Sequence, residues 1–394
     1  MCIETKRELV KSKCITDGQD NYFFGYYDVQ PWNKDGNLHL CHKVKFWERM
    51  PEKGEKAEIG VIDVNCGKYT KLAETTAWNF QQGSLLRWNP AAPNDEIIFN
   101  SNENGTYKGV ILNIKTGEKR FTDYPLANVD SKGEYGLGIN FSRLYDFRPG
   151  YGYGEIEDPF YNENRPKDDG IFLIDLKTGK SKLVLSTEKL WNLSKGNLNV
   201  DKKALVNHIN FNEDGSRFVC LFRTFPEEDG SWKTAVITAN KDGSDPFVLR
   251  ELDIASHYYW KNSEDLIIFA NDYDGVQLYM WKDKTHQAEI VDYGFFGRRN
   301  GHCSFSPDKR YVLYDCYWNQ EGYRPLYLYD TQKHKGITLG SYYSYPSLEP
   351  EDIRCDLHSR WNRDGSAITF DSVHEGKRAI YYMDLKDILN SDWK

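Results

Sequence analysis

One phrase recurs along this chain and restricts its fold more than any bulk property. From His302 the sequence reads HCSFSPDKRYVLYDCY, from His208 HINFNEDGSRFVCLFR, from His257 HYYWKNSEDLIIFAND and from His358 HSRWNRDGSAITFDSV. Each copy has a histidine, an aromatic residue three positions on, a polar turn and a β-rich run. Weaker copies without the histidine begin at Val29, Leu85 and Leu126. After each copy comes a second phrase, such as IGVIDVNCGKYTKLA (59–73) or KGVILNIKTGEKRFT (108–122), in which two apolar runs flank an Asn/Asp/Gly turn. Each unit is therefore a four-stranded antiparallel meander. The starts at 29, 85, 126, 208, 257, 302 and 358 lie 56, 41, 82, 49, 45 and 56 residues apart. A period of about 40 to 50 residues per four strands is that of a propeller blade. Seven units predict an all-β fold, a seven-bladed β-propeller of four-stranded antiparallel blades, in a single domain over residues 1–394.

Two irregularities refine this expectation. The last unit runs out after three strands and a short helical tail. The opening KRELVKSKCIT (6–16) supplies the missing strand from the other end, closing the ring and removing two exposed sheet edges. The 82-residue interval holds an insertion, NFSRLYDFRPGYGYGEIEDPFYNENRPKD (140–168), whose mix of Gly, Pro, Tyr and Arg suits a lid over a ligand.

A formal net charge of -8 with no basic cluster argues against nucleic acid or an anionic membrane as partner. No run reaches membrane-spanning length, and the charged opening residues lack the apolar segment of a secretory signal, so a cytoplasmic location is expected. Eight cysteines without CxxC spacing read as reduced fillers of strands. A phosphate-binding Gly-rich loop ahead of a helix and a nucleophile elbow are both missing.

The first strand of a propeller blade lines the central channel, so histidines at one register converge on one mouth of it. His208, His257, His302 and His358 are then candidates for binding a divalent metal or for general-base work near neutral pH. A repeated structural hydrogen-bond network is the competing explanation. Against it, the first three units lack the histidine, and no partner recurs at a fixed offset. Arg298 and Arg299 precede His302, Arg143 and Arg148 lie in the insertion, and Arg223 ends the strand after His208. Guanidinium forks suit planar carboxylates, so an acidic ligand is expected. Tyr151, Tyr153, Trp78 and Gln82 are candidate sugar-contacting groups. His39, His42, His286, His334 and His374 fall in strands or turns and are read as structural or solvated.

The His-x-x-aromatic unit starts, with DLHSRWNRDGSAITFDSVHEG (356–376), resemble the cytosolic oligogalacturonate lyases and their seven-bladed relatives, a group similar in turn to the ulvan lyases. The likeness is most specific over about 205–385. It implies β-elimination on an acidic, uronate-containing oligosaccharide and a divalent ion (Mn or Zn) near the channel mouth; a monomer is expected. His257 matches the family's base, with His208 and Arg223 as further catalytic candidates and Lys233 as an alternative to Arg223. His302 and His358 match metal histidines. The family's last metal segment reads Gln-x-x-His-x-His, where this chain has Ile353, Asp356 and His358. Asp356 can replace a histidine ligand; Ile353 cannot replace glutamine. Two alternatives stand beside the lyase: a non-catalytic glycan-binding propeller, and a glycoside hydrolase using carboxylates such as those of EIED (155–158).

Overall fold

The computed structural model describes residues 4–16, 18–194, 202–347 and 352–391. Among them are seven antiparallel sheets, six of four strands and one of five, and the fold is a seven-bladed β-propeller. A local device explains the repeated phrase. The residue after the aromatic turns its side chain across the hairpin and accepts the backbone N–H five positions later: Asn33 from Leu38 at 2.9 Å, Asn212 from Arg217 at 3.0 Å, Ser306 from Tyr311 at 2.9 Å and Asn362 from Ala367 at 3.0 Å. Side chains that satisfy the turn backbone in this way pre-form the hairpin. The glycine of Asp-Gly takes the left-handed conformation the turn demands, with φ 72° at Gly36 and 74° at Gly365.

The chain divides into two compact units. The first comprises residues 1–88, 93–97 and 292–394. It holds blade 1 (Asn21–Phe23, Leu38–Val44, Ala57–Asp63, Tyr69–Thr75), blade 6 (Gly301–Phe305, Tyr311–Cys316, Tyr323–Asp330, Lys335–Tyr343) and blade 7 (Arg360–Trp361, Ala367–Ser372, Ala379–Asp384). The expected closing strand is present: Ser12–Cys14 pairs antiparallel with Tyr381–Met383 as the fourth strand of blade 7. An unexpected strand precedes it, Lys6–Glu8, which pairs with Gly340–Tyr342 and gives blade 6 its fifth strand. Between blades 6 and 7, Leu326, Leu328, Leu339, Ile368, Phe370 and Met383 form one buried apolar cluster.

The second unit comprises residues 89–92 and 98–291. Blade 4 (Ala204–Phe211, Arg217–Thr224, Thr234–Asn240, Phe247–Asp253) and blade 5 (Ala255–Trp260, Asp265–Asp272, Gly275–Lys282, Ala288–Ile290) are regular meanders. Blade 3 is interrupted: residues 139–169 lie between its second strand, Tyr135–Gly138, and its third, Gly170–Asp175. This insertion begins with the helix Phe141–Phe147, capped by the Asn140 side chain accepting from Arg143 N. No described helix is long and apolar enough to cross a membrane. None of the described cysteines forms a disulfide, and burial raises the thiol pKa of Cys220 and Cys303. Cys2 lies outside the described residues.

Candidate functional site

In the first unit the chain brings two of the repeat histidines into contact. His302 sits on the first strand of blade 6 and His358 two residues before the first strand of blade 7; their ring centroids are 4.3 Å apart and both side chains are buried. His358 has φ 41°, in the left-handed region, a conformation that costs a non-glycine residue about 1–3 kcal/mol and is commonest where function requires it. Alternation along 353–358 sorts the neighbours. Ile353 and Cys355 point into an apolar cluster with Phe23, Trp78 and Phe80, while Asp356 and His358 approach His302. One donor atom from each of His302, Asp356 and His358 falls within 4.8 Å of the others.

Orientation comes from a second layer. Asp315, directly opposite His302 in the sheet, takes its Nδ1 at 2.6 Å, so Nδ1 carries the hydrogen and Nε2 is the basic nitrogen. His358 Nε2 makes no hydrogen bond among the described residues and lies 4.0 Å from Asp356 Oδ2. Burial, then the adjacent His302, hold the His358 pKa well below its usual value, so the ring is neutral at pH 7. Two imidazoles and a carboxylate form a donor set that fits a divalent ion. Ile353, packed among aromatics, adds no fourth protein donor.

The same carboxylate carries a second burden. Arg324 Nη1 donates to Asp356 Oδ1, and Arg354 Nε lies 2.9 Å from Oδ2, an ion contact whose angle falls outside hydrogen-bond geometry. Burial pushes the Asp356 pKa up, but Arg354 and Arg324 outweigh it and leave the group far below the usual carboxylate range. Arg360 is paired separately, with Asp371 at 2.7 Å. Aromatic rings line the cluster: Tyr26 lies 4.8 Å from His358, Tyr27 5.1 Å from His302 and Tyr317 6.0 Å from His302, centroid to centroid. Arg324, Arg354, Asp315, Tyr26 and Tyr27 were not singled out from sequence.

The remaining candidates of this unit are arranged otherwise. Trp78 is 3% exposed, packs on Phe80 at 5.2 Å and donates its indole N–H to Glu55 O, which makes it a core residue. Gln82 lies in a tight turn, its backbone N–H bonded to Asn79 Oδ1 at 2.8 Å. Arg298 and Arg299 are exposed on the turn before blade 6, with Arg299 Nη1 3.3 Å from Tyr327 OH.

In the second unit His208 occupies a bulge in the first strand of blade 4, with φ 61°. Tyr151 of the insertion meets it edge-on at 5.6 Å. The Arg148 guanidinium lies 4.8 Å from the Tyr151 ring and 5.7 Å from Trp232, and Arg223 covers Trp232 at 5.9 Å. The sequence candidates Arg148, Tyr151, His208 and Arg223 thus form one chain of cation–π and ring contacts. His257 is buried at a bulge in the first strand of blade 5, its Nδ1 3.3 Å from Ser256 Oγ. Two candidates are committed to packing instead. Arg143 uses all five N–H groups internally, on Ala204 O, Asp158, Phe160 O, Glu163 O and Asn164 O. The expectation that it binds substrate is therefore corrected: it clamps the insertion. Tyr153 is stacked on Phe141 at 4.5 Å and its hydroxyl accepts from Asn100.

No protein-family model and no curated protein matches this sequence. Solved structures do. An oligogalacturonate lyase in complex with manganese superposes with a TM-score of 0.68 at 15% identity, covering 98% of this chain and 95% of the other. The oligogalacturonate lyase of Vibrio parahaemolyticus gives a TM-score of 0.63 at 14% identity, covering 95% and 94%. Identities this low establish architecture and leave chemistry to the residues. The chain is a seven-bladed propeller of the oligogalacturonate-lyase-like fold.

Proposed function

We propose that this protein is a lyase that cleaves uronate-containing oligosaccharides by β-elimination, assisted by a divalent ion at His302, Asp356 and His358. The observation that carries the reading is the buried donor triad, with Asp315 fixing the His302 tautomer behind it. A divalent ion bound there supplies Lewis-acid stabilisation of negative charge on a substrate carboxylate. The protein's own groups do the rest. Arg324 and Arg354 hold Asp356 ionised, and the rings of Tyr26, Tyr27 and Tyr317 border the cluster. His257 keeps the role that the family resemblance implies, removal of the proton at C5, alpha to the carboxylate; the C4–O bond then breaks as the C4=C5 double bond forms, the departing sugar oxygen takes a proton from water, and an unsaturated uronate remains. His208, Arg148, Tyr151 and Arg223 are proposed substrate contacts, and the manganese in the similar lyase is consistent with a divalent ion here, Mn or Zn being the proposed candidates. Incubation with a uronate oligosaccharide panel and Mn(II) tests the reading: new ultraviolet absorbance from the unsaturated product, lost in His358→Ala and in His257→Ala, is expected. A saturated reducing sugar as product would point to hydrolysis instead.

A second reading is favoured by one contact. Because Asp356 already faces two guanidinium groups, the cluster can serve as a metal-free binder of acidic glycans. Binding without turnover, unaffected by a chelator, is its signature.

A further inference from the structure

The second unit contains a cavity of about 430 Å³ with no histidine in its lining, between the insertion, blade 3 and the start of the strand Tyr107–Asn113, within the size range of small-molecule sites. Five rings line it, Tyr107, Tyr124, Phe141, Phe160 and Phe172, with Tyr124 and Phe172 stacked at 4.1 Å. Its only charged lining residues are Glu157, Asp168 and Asp169. None of these three makes an ion pair among the described residues.

Several buried carboxylates are neutralised directly by a guanidinium: Asp158 has Arg143 at 3.1 Å, Asp283 has Arg217 at 2.6 Å and Asp371 has Arg360 at 2.7 Å. Asp169, 1% exposed, is hydrogen-bonded by neutral donors, Asn140 Nδ2 at 2.9 Å, Tyr124 OH at 3.3 Å and the Gly170 backbone N–H, while Arg143 acts on it through space without pairing with it. Burial accordingly raises its pKa. A carboxylate taken from water without a counter-charge is costly, and a cation arriving beside it recovers that cost. Aromatic faces attract the same ligand through their quadrupoles. A bare metal ion fits poorly, since hard cations require a shell of oxygen donors and this wall is mostly ring carbon.

We propose that this cavity binds a small organic cation, a primary or secondary ammonium on an aromatic or aliphatic body, with the ammonium against Asp169 and the body among Tyr124, Phe160 and Phe172. The site stands independently of any reading of the histidine cluster.

Calorimetric titration of the intact protein with benzylammonium, benzyl alcohol and benzoate tests the proposal. Saturable one-to-one binding of benzylammonium is expected, with the neutral isostere weaker by about tenfold or more and no uptake of benzoate. Asp169→Asn removes the preference for the charged ligand. Because Asp169 also holds Asn140, a second variant guards against a folding defect: Glu157→Gln with Asp168→Asn, both exposed, lowers benzylammonium affinity by about threefold. Equal affinity for ammonium and alcohol, absence of ammonium binding, or an unchanged affinity in the double variant would overturn the assignment.

Discussion

His302 Nδ1 lies 2.6 Å from Asp315 Oδ1, and the two residues face each other across adjacent strands of blade 6 with both side chains buried. Register therefore determines which imidazole nitrogen is available. A carboxylate behind a ligating histidine fixes its tautomer and raises its basicity, and losing such a partner costs about 10- to 100-fold in metal affinity. Asp315→Asn is accordingly expected to weaken Mn(II) binding by about that factor, read by calorimetric titration, with an unchanged circular-dichroism spectrum. Unchanged affinity would show that the carboxylate does not orient a ligand.

Acid sensitivity follows from three other imidazoles. Burial lowers the pKa of His42 to about 4, of His39 to about 3 and of His374 to about 3. The hydrogen bonds agree with neutral rings: His42 Nδ1 donates to Phe24 O at 2.9 Å while its Nε2 accepts from Ser84 N at 3.1 Å, so a second ring proton meets a backbone donor. With folded values below the unfolded one of about 6.5, the unfolded chain binds protons first as pH falls. Their contribution is thus complete above about pH 6.5 and is lost progressively as pH falls toward 3 to 4, by up to a few kcal/mol for each ring. Denaturation midpoints measured from pH 8 to pH 4 are expected to begin falling near 6.5. A flat profile down to pH 5 would contradict neutral burial of these rings.

Blade number and blade boundaries were legible because the signal is local and repeated: an aromatic, an Asn or Ser that bridges the turn, a Gly at positive φ, then an alternating strand. The closing strand was legible for a similar reason, since blade 7 runs out of sequence after Ala379–Asp384 and an edge must be covered. His302 and His358 stood out through their register. What escaped sequence reasoning depends on side chains meeting across long separations. Asp356 looked like a replacement ligand, and nothing local revealed Arg324, 32 residues away, bonded to it. Arg143 looked like a ligand-binding guanidinium because four of its five acceptors are backbone carbonyls, which no residue pattern advertises. Trp78 was ambiguous on the same grounds, as an indole reads alike on a sugar or in a core.

The clamp by Arg143 makes the insertion testable as a structural element. Lysine keeps the charge but offers three donors in place of five and no fork. Arg143→Lys therefore strands several carbonyls of 158–164 and weakens a buried pair with Asp158, whose full loss costs about 3–5 kcal/mol. Limited proteolysis is expected to cut the variant within 154–168 several times faster than the parent. Equal cleavage rates would mean that the segment is held by its aromatic contacts, such as Phe141 with Tyr153.

The two opening strands carry the last expectation. Lys6–Glu8 covers the edge of blade 6 at Gly340–Tyr342, and Ser12–Cys14 covers the edge of blade 7 at Tyr381–Met383. Tyr342 and Tyr381 belong to the apolar cluster shared by these blades, and Val10 and Cys14 pack against it. Deleting the chain through Thr16 uncovers two rows of backbone donors and acceptors together with that apolar surface, a combination that templates strand addition between molecules. The truncated protein is expected to melt at lower temperature and to elute as aggregate in size-exclusion chromatography, while a synthetic peptide of residues 4–16 added during refolding restores part of the soluble species. A truncated chain that stays soluble with an unshifted melting temperature would show that these strands merely decorate the edges.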